Sequence, residues 1–310
     1  VPILPMILVN GSEGIGTGWS TSVPSYNPRD IIENLRLKLT GKEMNPMRPW
    51  YRGFKGKIEK LTDTCYLTRG KYHIEGDSKA VITELPVKSW TDKYKEFLES
   101  MLIETGKDSK KSQCLRNYNS YCSDTKVHFE LIFPRDKLIS LTQSLEQNDD
   151  GQNKFEKTFK LTSKINTSNM VLYDRNGYLK KYTSPLEIID DYFEVRMEYY
   201  VKRKEYQLNA LERELKIVNA RVKFIEEFIA GTIQISNKTK KDILEQLETK
   251  KYPKIDDCYD YLIKMPIYNL TKERIEELKK DRDTKMSDFT NLKNTTEVEI
   301  YMGELKELEK

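Results

Sequence analysis

The sequence predicts an α+β protein: a mixed α/β region, then a long antiparallel coiled coil with a helical tip. Up to about residue 183 short runs of alternating polarity are broken by turn signals, whereas from Ser184 apolar residues recur at helical spacing. Charged residues make up 33% of the chain against 37% hydrophobic, which suits long solvated helices better than one globule. At 310 residues there is room for about two domains, which we set at 1–183 and 184–310.

In chain order, "PRDIIENLRLKLTG" predicts a helix with Pro28 in its first turn and Gly41 past its end. "KVHFELIF" alternates Val127, Phe129, Leu131 and Phe133, the pattern of a half-buried strand. "NMVLYDRNGYLKKY" predicts a hairpin in which Asn176-Gly177 supplies the positive φ angles of a tight turn. The polar stretches from Lys107 to Asp124 and from Ser144 to Lys154 predict surface loops.

At Ser184 the phrase "SPLE" offers an N-cap, Pro185 in the first turn and Glu187 to close a capping box. Leu208, Leu211, Leu215, Val218, Val222, Ile225 and Ile229 then form an a/d seam, and Gly231 ends the helix. Two short helical stretches follow. Another helix starts at Thr271 as N-cap, with Leu270 stapling onto Ile275 and an apolar stripe of Ile275, Leu278, Met286, Phe289 and Leu292 that Arg282 interrupts. The arrangement expected is one arm out and one back, capped by residues 231–270.

Fifty-three basic and 49 acidic residues leave a net charge of +4, too mild to identify a nucleic-acid binder unless cations cluster. Cys65, Cys114, Cys122 and Cys258 show no metal-ligand spacing, so reduced thiols in an intracellular protein are expected. There is no apolar run long enough to cross a membrane, no signal peptide, and no initiator methionine, which suggests a piece of a larger protein.

"GSEGIGTGWS" carries four glycines in eight residues around Ile15. A phosphate cradle is refused by the spacing: no Lys-Ser or Lys-Thr follows the last glycine, and Gly14, Gly16 and Gly18 are evenly spaced rather than G-x-G-x-x-G. "EGDSKA" at Glu75 imitates an acidic metal signature, but the only Asp-x-Asp, Asp281 and Asp283, falls inside the predicted coiled coil; the alternative is a turn before "AVITELPV". No metal ligands are assigned. With two histidines 55 positions apart and no nucleophile elbow, no catalytic set assembles.

Five phrases, "PILPMILVNGSEGIGTGWS", "NPRDIIENLRLKLTGKEMNPMRPWYRGFKGKIEK", "ITELPVKSWTDKYKEFLE", "NMVLYDRNGYLKKY" and "YLIKMPIYNLTKERIEELKKDRD", together resemble eukaryotic-type DNA topoisomerase II, a type IIA topoisomerase, over most of the chain and in collinear order. The resemblance implies that residues 1–183 are the tower domain of the DNA-cleavage core. It makes 184–310 the coiled-coil arms ending in the exit gate. It implies a nuclear, homodimeric, ATP- and Mg²⁺-dependent isomerase acting on double-stranded DNA. This segment would itself bind no cofactor and would lack catalytic residues, because the family's nucleophilic tyrosine follows an arginine and no Arg-Tyr pair occurs among 19 tyrosines. The alternative is a non-enzymatic chromosome-structure protein with a DNA-binding head and a coiled-coil arm.

By the resemblance Ile15 slides between base pairs of the bent gate DNA, with Gly14, Gly16, Thr17, Trp19 and Ser20 beside it at the duplex. Physically, a compact apolar wedge between glycines suits minor-groove approach, whereas the alternative is an ordinary core isoleucine. "RPWYRGFKGK" interleaves Arg48, Arg52, Lys55 and Lys57 with Trp50, Tyr51 and Phe54, cations for phosphate contact beside aromatics that suit packing. "KLTSKINTSN" aligns with a family segment that touches DNA. Its Lys160, Thr162, Ser163 and Lys164, with Asn166, Thr167, Ser168 and Asn169, are candidate phosphate donors, and the alternative is a polar edge strand. For the gate, Tyr259, Tyr261, Leu262, Met265, Ile267 and Tyr268 are the candidate contacts between two protomers; the plainer reading is a parallel dimerising coiled coil.

Overall fold

The structure, a computed structural model, describes residues 1–103, 113–142, 151–235, 237–266 and 271–309, the Lys272 side chain apart. It divides into two compact units, Pro2–Phe193, and Glu194–Lys310 with Val1.

The first unit opens with a short helix α1 (Met6–Asn10) and a hairpin of β1 (Ser12–Ile15) and β2 (Ser20–Val23), followed by α2 (Pro28–Leu39). Both signals read for α2 are used, Pro28 filling the first turn and Gly41 taking a φ of 70° beyond the C-cap; Asn27, which was not read, caps the helix by accepting the Arg29 N–H at 3.0 Å. A three-stranded antiparallel sheet has the order β3 (Lys57–Thr62), β4 (Cys65–Arg69), β9 (Thr162–Asn166). A four-stranded one has the order β5 (Lys71–Glu75), β6 (Lys79–Glu84), β8 (Phe129–Ile132), β7 (Asn117–Ser120).

The period of two explains how the larger sheet makes a core. Tyr72, Ala80, Ile82, Phe129 and Leu131 turn to one face, where Tyr94 and Leu98 of α3 (Thr91–Ser100), Leu138 of α4 (Arg135–Thr142) and Phe155 of α5 (Lys154–Thr158) meet them. Phe155 and Phe159 are 4.8 Å apart between centroids, and the buried Tyr94 hydroxyl donates to the Phe159 carbonyl at 2.7 Å. Burial pushes the Tyr94 phenol far up, so it stays protonated. Arg69 ties β4 to α5 through Glu156 at 2.5 Å and the Gly151 carbonyl at 3.0 Å.

Several sequence expectations change. Residues 107–112 and 144–150 of the two expected loops lie outside the described residues. Within the first stretch Asn117–Ser120 is strand β7, its polar text concealing a pairing with β8. The turn between β10 (Met170–Tyr173) and β11 (Leu179–Tyr182) has a positive φ at Gly177 alone. The Asp174 carboxylate builds it instead, accepting the N–H groups of Asn176 and Tyr178, both at 2.9 Å. The expected capping box is shifted: the Glu187 N–H donates to Ser184 Oγ, but the Glu187 carboxylate accepts from the Thr183 N–H at 2.7 Å. Helix α6 (Pro185–Ile229) starts here. Its first turns stay with the first unit, since Lys180 and Tyr182 both bond Asp191, at 2.9 and 2.7 Å, and Lys38 pairs with Asp190.

The second unit is the rest of α6 with α7 (Lys240–Thr249), α8 (Asp260–Ile263), α9 (Lys272–Asn294) and α10 (Glu297–Leu308). The 45 residues of α6 run for about 68 Å at about 1.5 Å per residue. Ion pairs Lys204–Glu297 (3.3 Å), Lys285–Glu214 (2.6 Å) and Lys279–Glu226 (2.7 Å) set the returning helices antiparallel to it. Leu215, Val218, Val222 and Ile225 are buried, Val218, Val222 and Ile225 packing with Leu278 and Ile275, whereas Ile229 at the end of the seam and Met286 in the middle of the returning stripe are exposed. Thr271 caps α9, while Leu270 of the expected staple lies outside the described residues. The returning arm breaks between Asn294 and Glu297, where Thr296 and Glu299 form a full capping box. Near this break the Tyr200 and Tyr301 rings pack tilted, with centroids 4.9 Å apart, and Arg196, Arg203 and Tyr200 all bond Glu304. Asp281 and Asp283 sit on α9, paired with Lys285 and Arg282.

Candidate nucleic-acid interface

The glycine-rich run is a hairpin with a two-residue end. Ile15 pairs with Ser20, the Gly16 N–H donates to the Trp19 carbonyl at 2.8 Å, and Thr17-Gly18 make the turn, with φ of 84° at Gly18. Ile15 is 93% exposed and Trp19 is 59% exposed, so the end of this hairpin holds its largest apolar side chains in water.

The glycines divide into two kinds. At Gly11 a Cβ would stand 2.8 Å from the Val23 carbonyl oxygen, and its φ is 70°, so the fold itself demands glycine there. At Gly14 a Cβ would touch nothing within 4 Å, and at Gly16 only the Trp19 carbonyl at 3.7 Å; neither has a positive φ. Nothing inside the chain requires those two to be bare.

A second hairpin braces the first. The Ser22 N–H donates to the Asn169 carbonyl at 2.8 Å and the Asn169 amide donates to Ser20 Oγ at 2.9 Å, which sets β10 against β2. The ribbon from Arg48 to Lys57 is held from below. Buried Asn34 exchanges two hydrogen bonds with the Asn45 backbone, at 3.0 and 2.7 Å; Pro49 bridges to Tyr26; and the Trp50 N–H donates to the Ser25 carbonyl at 2.7 Å. On that support Arg48, Arg52, Lys55 and Lys57 are all exposed, and among the described residues none of the four makes an ion pair. Tyr51 and Phe54 are half-buried; burial, then the nearby Glu13 charge, pushes the Tyr51 phenol up to about 12.

Hairpin base, ribbon and the 160–169 stretch meet around a cleft of about 230 Å³ lined by Gly11, Glu13, Tyr51, Lys88 and Ile165 among others. Lys88 went unread in the sequence. Its backbone is left-handed at φ 69°, and its ammonium pairs with Glu13 at 2.8 Å across 75 positions, offsetting the one carboxylate on the hairpin. No local pattern announces a lysine in that conformation.

The 160–169 stretch is partly withdrawn from solvent. Thr167 is buried; Ser163 donates to the Val87 carbonyl at 2.8 Å and meets Thr68 Oγ1 at 3.1 Å; Lys160 lies over the Phe97 ring at 4.4 Å. β9 is the edge strand of its sheet, as the alternative reading had it; Ser163 on it and Thr167 just past it are engaged internally, while Lys160 stays exposed. Thr162 and Asn169 are half-buried, and Lys164, Asn166 and Ser168 are exposed.

At the far end of the second unit Tyr259 and Leu262 are buried with Phe224, Leu247 and Tyr252 in the tip's own core, and so have little surface for a partner protomer. Tyr261 and Met265 are half-buried, the Tyr261 hydroxyl donating to the Pro253 carbonyl at 2.7 Å. Ile267 and Tyr268 lie outside the described residues.

Comparison with known proteins decides the family. The family model for the A-type subunit of DNA gyrase/topoisomerase IV matches residues 1–307. The chain belongs to this type IIA topoisomerase family. It is 36% identical to DNA topoisomerase 2 of Arabidopsis thaliana over its whole length, covering 23% of that protein, and 36% identical to DNA topoisomerase 2-alpha of Gallus gallus, with 98% of the chain matched to 21% of the relative. A crystal structure of the Plasmodium falciparum topoisomerase II DNA-binding, cleavage and re-ligation domain superposes with a TM-score of 0.83 at 33% identity, covering all of this chain and 45% of that one. The chain thus spans about a fifth of the curated topoisomerase II relatives and under half of the solved cleavage domain. The membership favours the topoisomerase reading over a non-enzymatic chromosome-structure protein.

Proposed function

We propose that this chain is the DNA-bending and exit-gate segment of a DNA breakage-reunion core, working in a nuclear, homodimeric, ATP- and Mg²⁺-dependent enzyme that passes one duplex through a transient double-strand break in another. Residues 1–183 serve as the tower and 184–310 as arms and gate. The cleavage chemistry belongs to residues outside this segment.

The observation that carries the DNA role is Ile15, a bulky aliphatic side chain 93% exposed at the end of a braced, glycine-flanked hairpin. Unstacking a base step costs a few kcal/mol and is done by compact apolar wedges, which wrapping of the bent duplex on a basic surface offsets. Arg48, Arg52, Lys55 and Lys57 supply that surface, and Lys164, Asn166 and Ser168 add donors. Recognition of this kind follows deformability more than base identity. Replacing Ile15 by Ala in the complete dimeric enzyme should lower DNA bending, read by fluorescence transfer between labelled duplex ends; bending equal to wild type would falsify the wedge.

For the gate, the tip bears a surface that includes Tyr261, Met265 and the exposed Lys264. A cysteine placed at Lys264 in the dimer should crosslink the two protomers with a short bifunctional reagent, and monomers alone after reaction would remove the tip from the gate.

A further inference from the structure

Lys88 occupies a backbone position that does not suit it. It is the third residue of a turn closed by the Ser89 N–H donating to the Pro86 carbonyl at 3.1 Å, and its φ of 69° is one that glycine or asparagine adopts at less cost. The neighbours hold the strain in place: Pro86 is buried, and the Val87 carbonyl accepts the Ser163 hydroxyl of β9 at 2.8 Å. A turn made for its shape alone would be better filled by glycine. What lysine adds is an ammonium, and that ammonium reaches Glu13 of β1 at 2.8 Å, beside the cleft that the two residues line together with Tyr51 and Ile165.

Glu13 and Ile15 share one face of β1, because successive side chains of a strand alternate, and they stand about 7 Å apart along it at about 3.4 Å per residue. The hairpin that carries them is secured unevenly. On the β2 side the Ser22 N–H and the Ser20 hydroxyl are both bonded to Asn169. On the β1 side, among the described residues, the Lys88–Glu13 pair is the one side-chain hydrogen bond or ion pair that joins the strand to the rest of its unit. Without that pair β1, and Ile15 with it, would be tethered through β2 alone.

We propose that Lys88 is the positioning residue of the wedge: by holding Glu13 it fixes the direction in which the hairpin projects Ile15, and it does so through the protein, without touching the duplex. The inference rests on reading Ile15 as the wedge. With side chains 47% and 65% exposed, the pair adds little to folding stability. Its effect falls on the bent complex, where exclusion of water by the duplex strengthens the attraction and a misdirected isoleucine would meet the groove instead of a base step.

The test uses the complete dimeric enzyme on a duplex labelled at both ends, with fluorescence transfer read at saturating protein so that bending is separated from affinity, and with thermal melting of each variant. Lys88→Gly should melt no earlier than wild type, because glycine relieves the turn, yet lower the ratio of bent to straight duplex about 1.5- to 5-fold, the range of one exposed ion pair. Lys88→Arg, which keeps the charge, should bend DNA as wild type does. Glu13→Gln should lose as much as Lys88→Gly, and the double variant no more than either alone, since both changes break one contact. Earlier melting of Lys88→Gly would make the lysine a brace for the turn, and unaltered bending by it would leave the pair without a role; either result overturns the proposal. Bending lost in Lys88→Gly but kept in Glu13→Gln also overturns it, in favour of direct contact with the duplex if the double variant stays weak, or of simple masking of the Glu13 charge if the double variant recovers. Ile15→Ala tests the reading beneath: wild-type bending there removes the wedge and this inference together, whereas weakened Ile15→Ala beside unaltered Lys88→Gly and Glu13→Gln removes the positioning role alone.

Discussion

Ile225 is fully buried in the seam of the arm against Val218, Val222 and Leu278, whereas Ile15, the same side chain, stands 93% exposed on a hairpin end. Leaving an isoleucine in water instead of a core forgoes about 1.5–3 kcal/mol. The seam uses apolar area to hold two helices together. The hairpin withholds it from folding, which leaves it available to something outside the chain.

The largest effect should come from the buried member. Ile225→Ala removes most of a fully enclosed side chain between helices that cannot collapse freely, at a cost of about 2–5 kcal/mol. Urea unfolding followed by helical circular dichroism would read it. A loss under about 1 kcal/mol, well below that range, would mean that the seam does not bind the arm together, and would blunt the contrast.

How far the contrast could be read in advance depends on the range of the contacts involved. Pro28 and Gly41 bound α2 through neighbours a few residues away, and the a/d spacing read from Leu208 to Ile229 includes Leu215, Val218, Val222 and Ile225, which are buried; both are local patterns, and both were legible. So was the oddity of Ile15 among glycines, though an ordinary core isoleucine remained open until its exposure was seen. Burial of Thr167, Tyr259 and Leu262 was not legible, because residue type is silent about partners tens of positions away. Ser163 illustrates the point: its hydroxyl is engaged by Val87, 76 positions earlier. The break before α10 could have been read, since Thr296-x-x-Glu299 is a capping signature, but the apolar stripe on either side masked it.

A smaller effect sharpens the buried side of the comparison. Burial pushes the Glu304 carboxyl up, but hydrogen bonds from Tyr200 and Arg203 and the charges of Arg203 and Arg196 outweigh it, so it sits below the usual carboxylate range. A carboxyl with a lowered folded-state pKa contributes stability that is present above its unfolded value and lost as pH falls through the folded one. The arm should therefore lose stability on acidification from about pH 5 downward, within the usual carboxylate range. Glu304→Gln should flatten that part of the curve. An equal acid dependence in the variant, measured by urea midpoint against pH, would place the sensitivity elsewhere.

The smallest effect on stability, and the sharpest test of the exposed side, belongs to Gly14 and Gly16. Both backbones lie outside the left-handed region, and an added methyl meets nothing closer than 3.7 Å. Alanine restricts the unfolded chain at such sites, so Gly14→Ala and Gly16→Ala should leave stability unchanged or raise it by up to about 1 kcal/mol. If bareness serves the chain's own folding, that gain will not appear. If it serves a duplex whose minor groove must come close to the backbone on either side of Ile15, the same variants will bend DNA less while melting no earlier. A variant that is at least as stable yet worse at bending is an outcome that a purely structural role for these glycines does not produce.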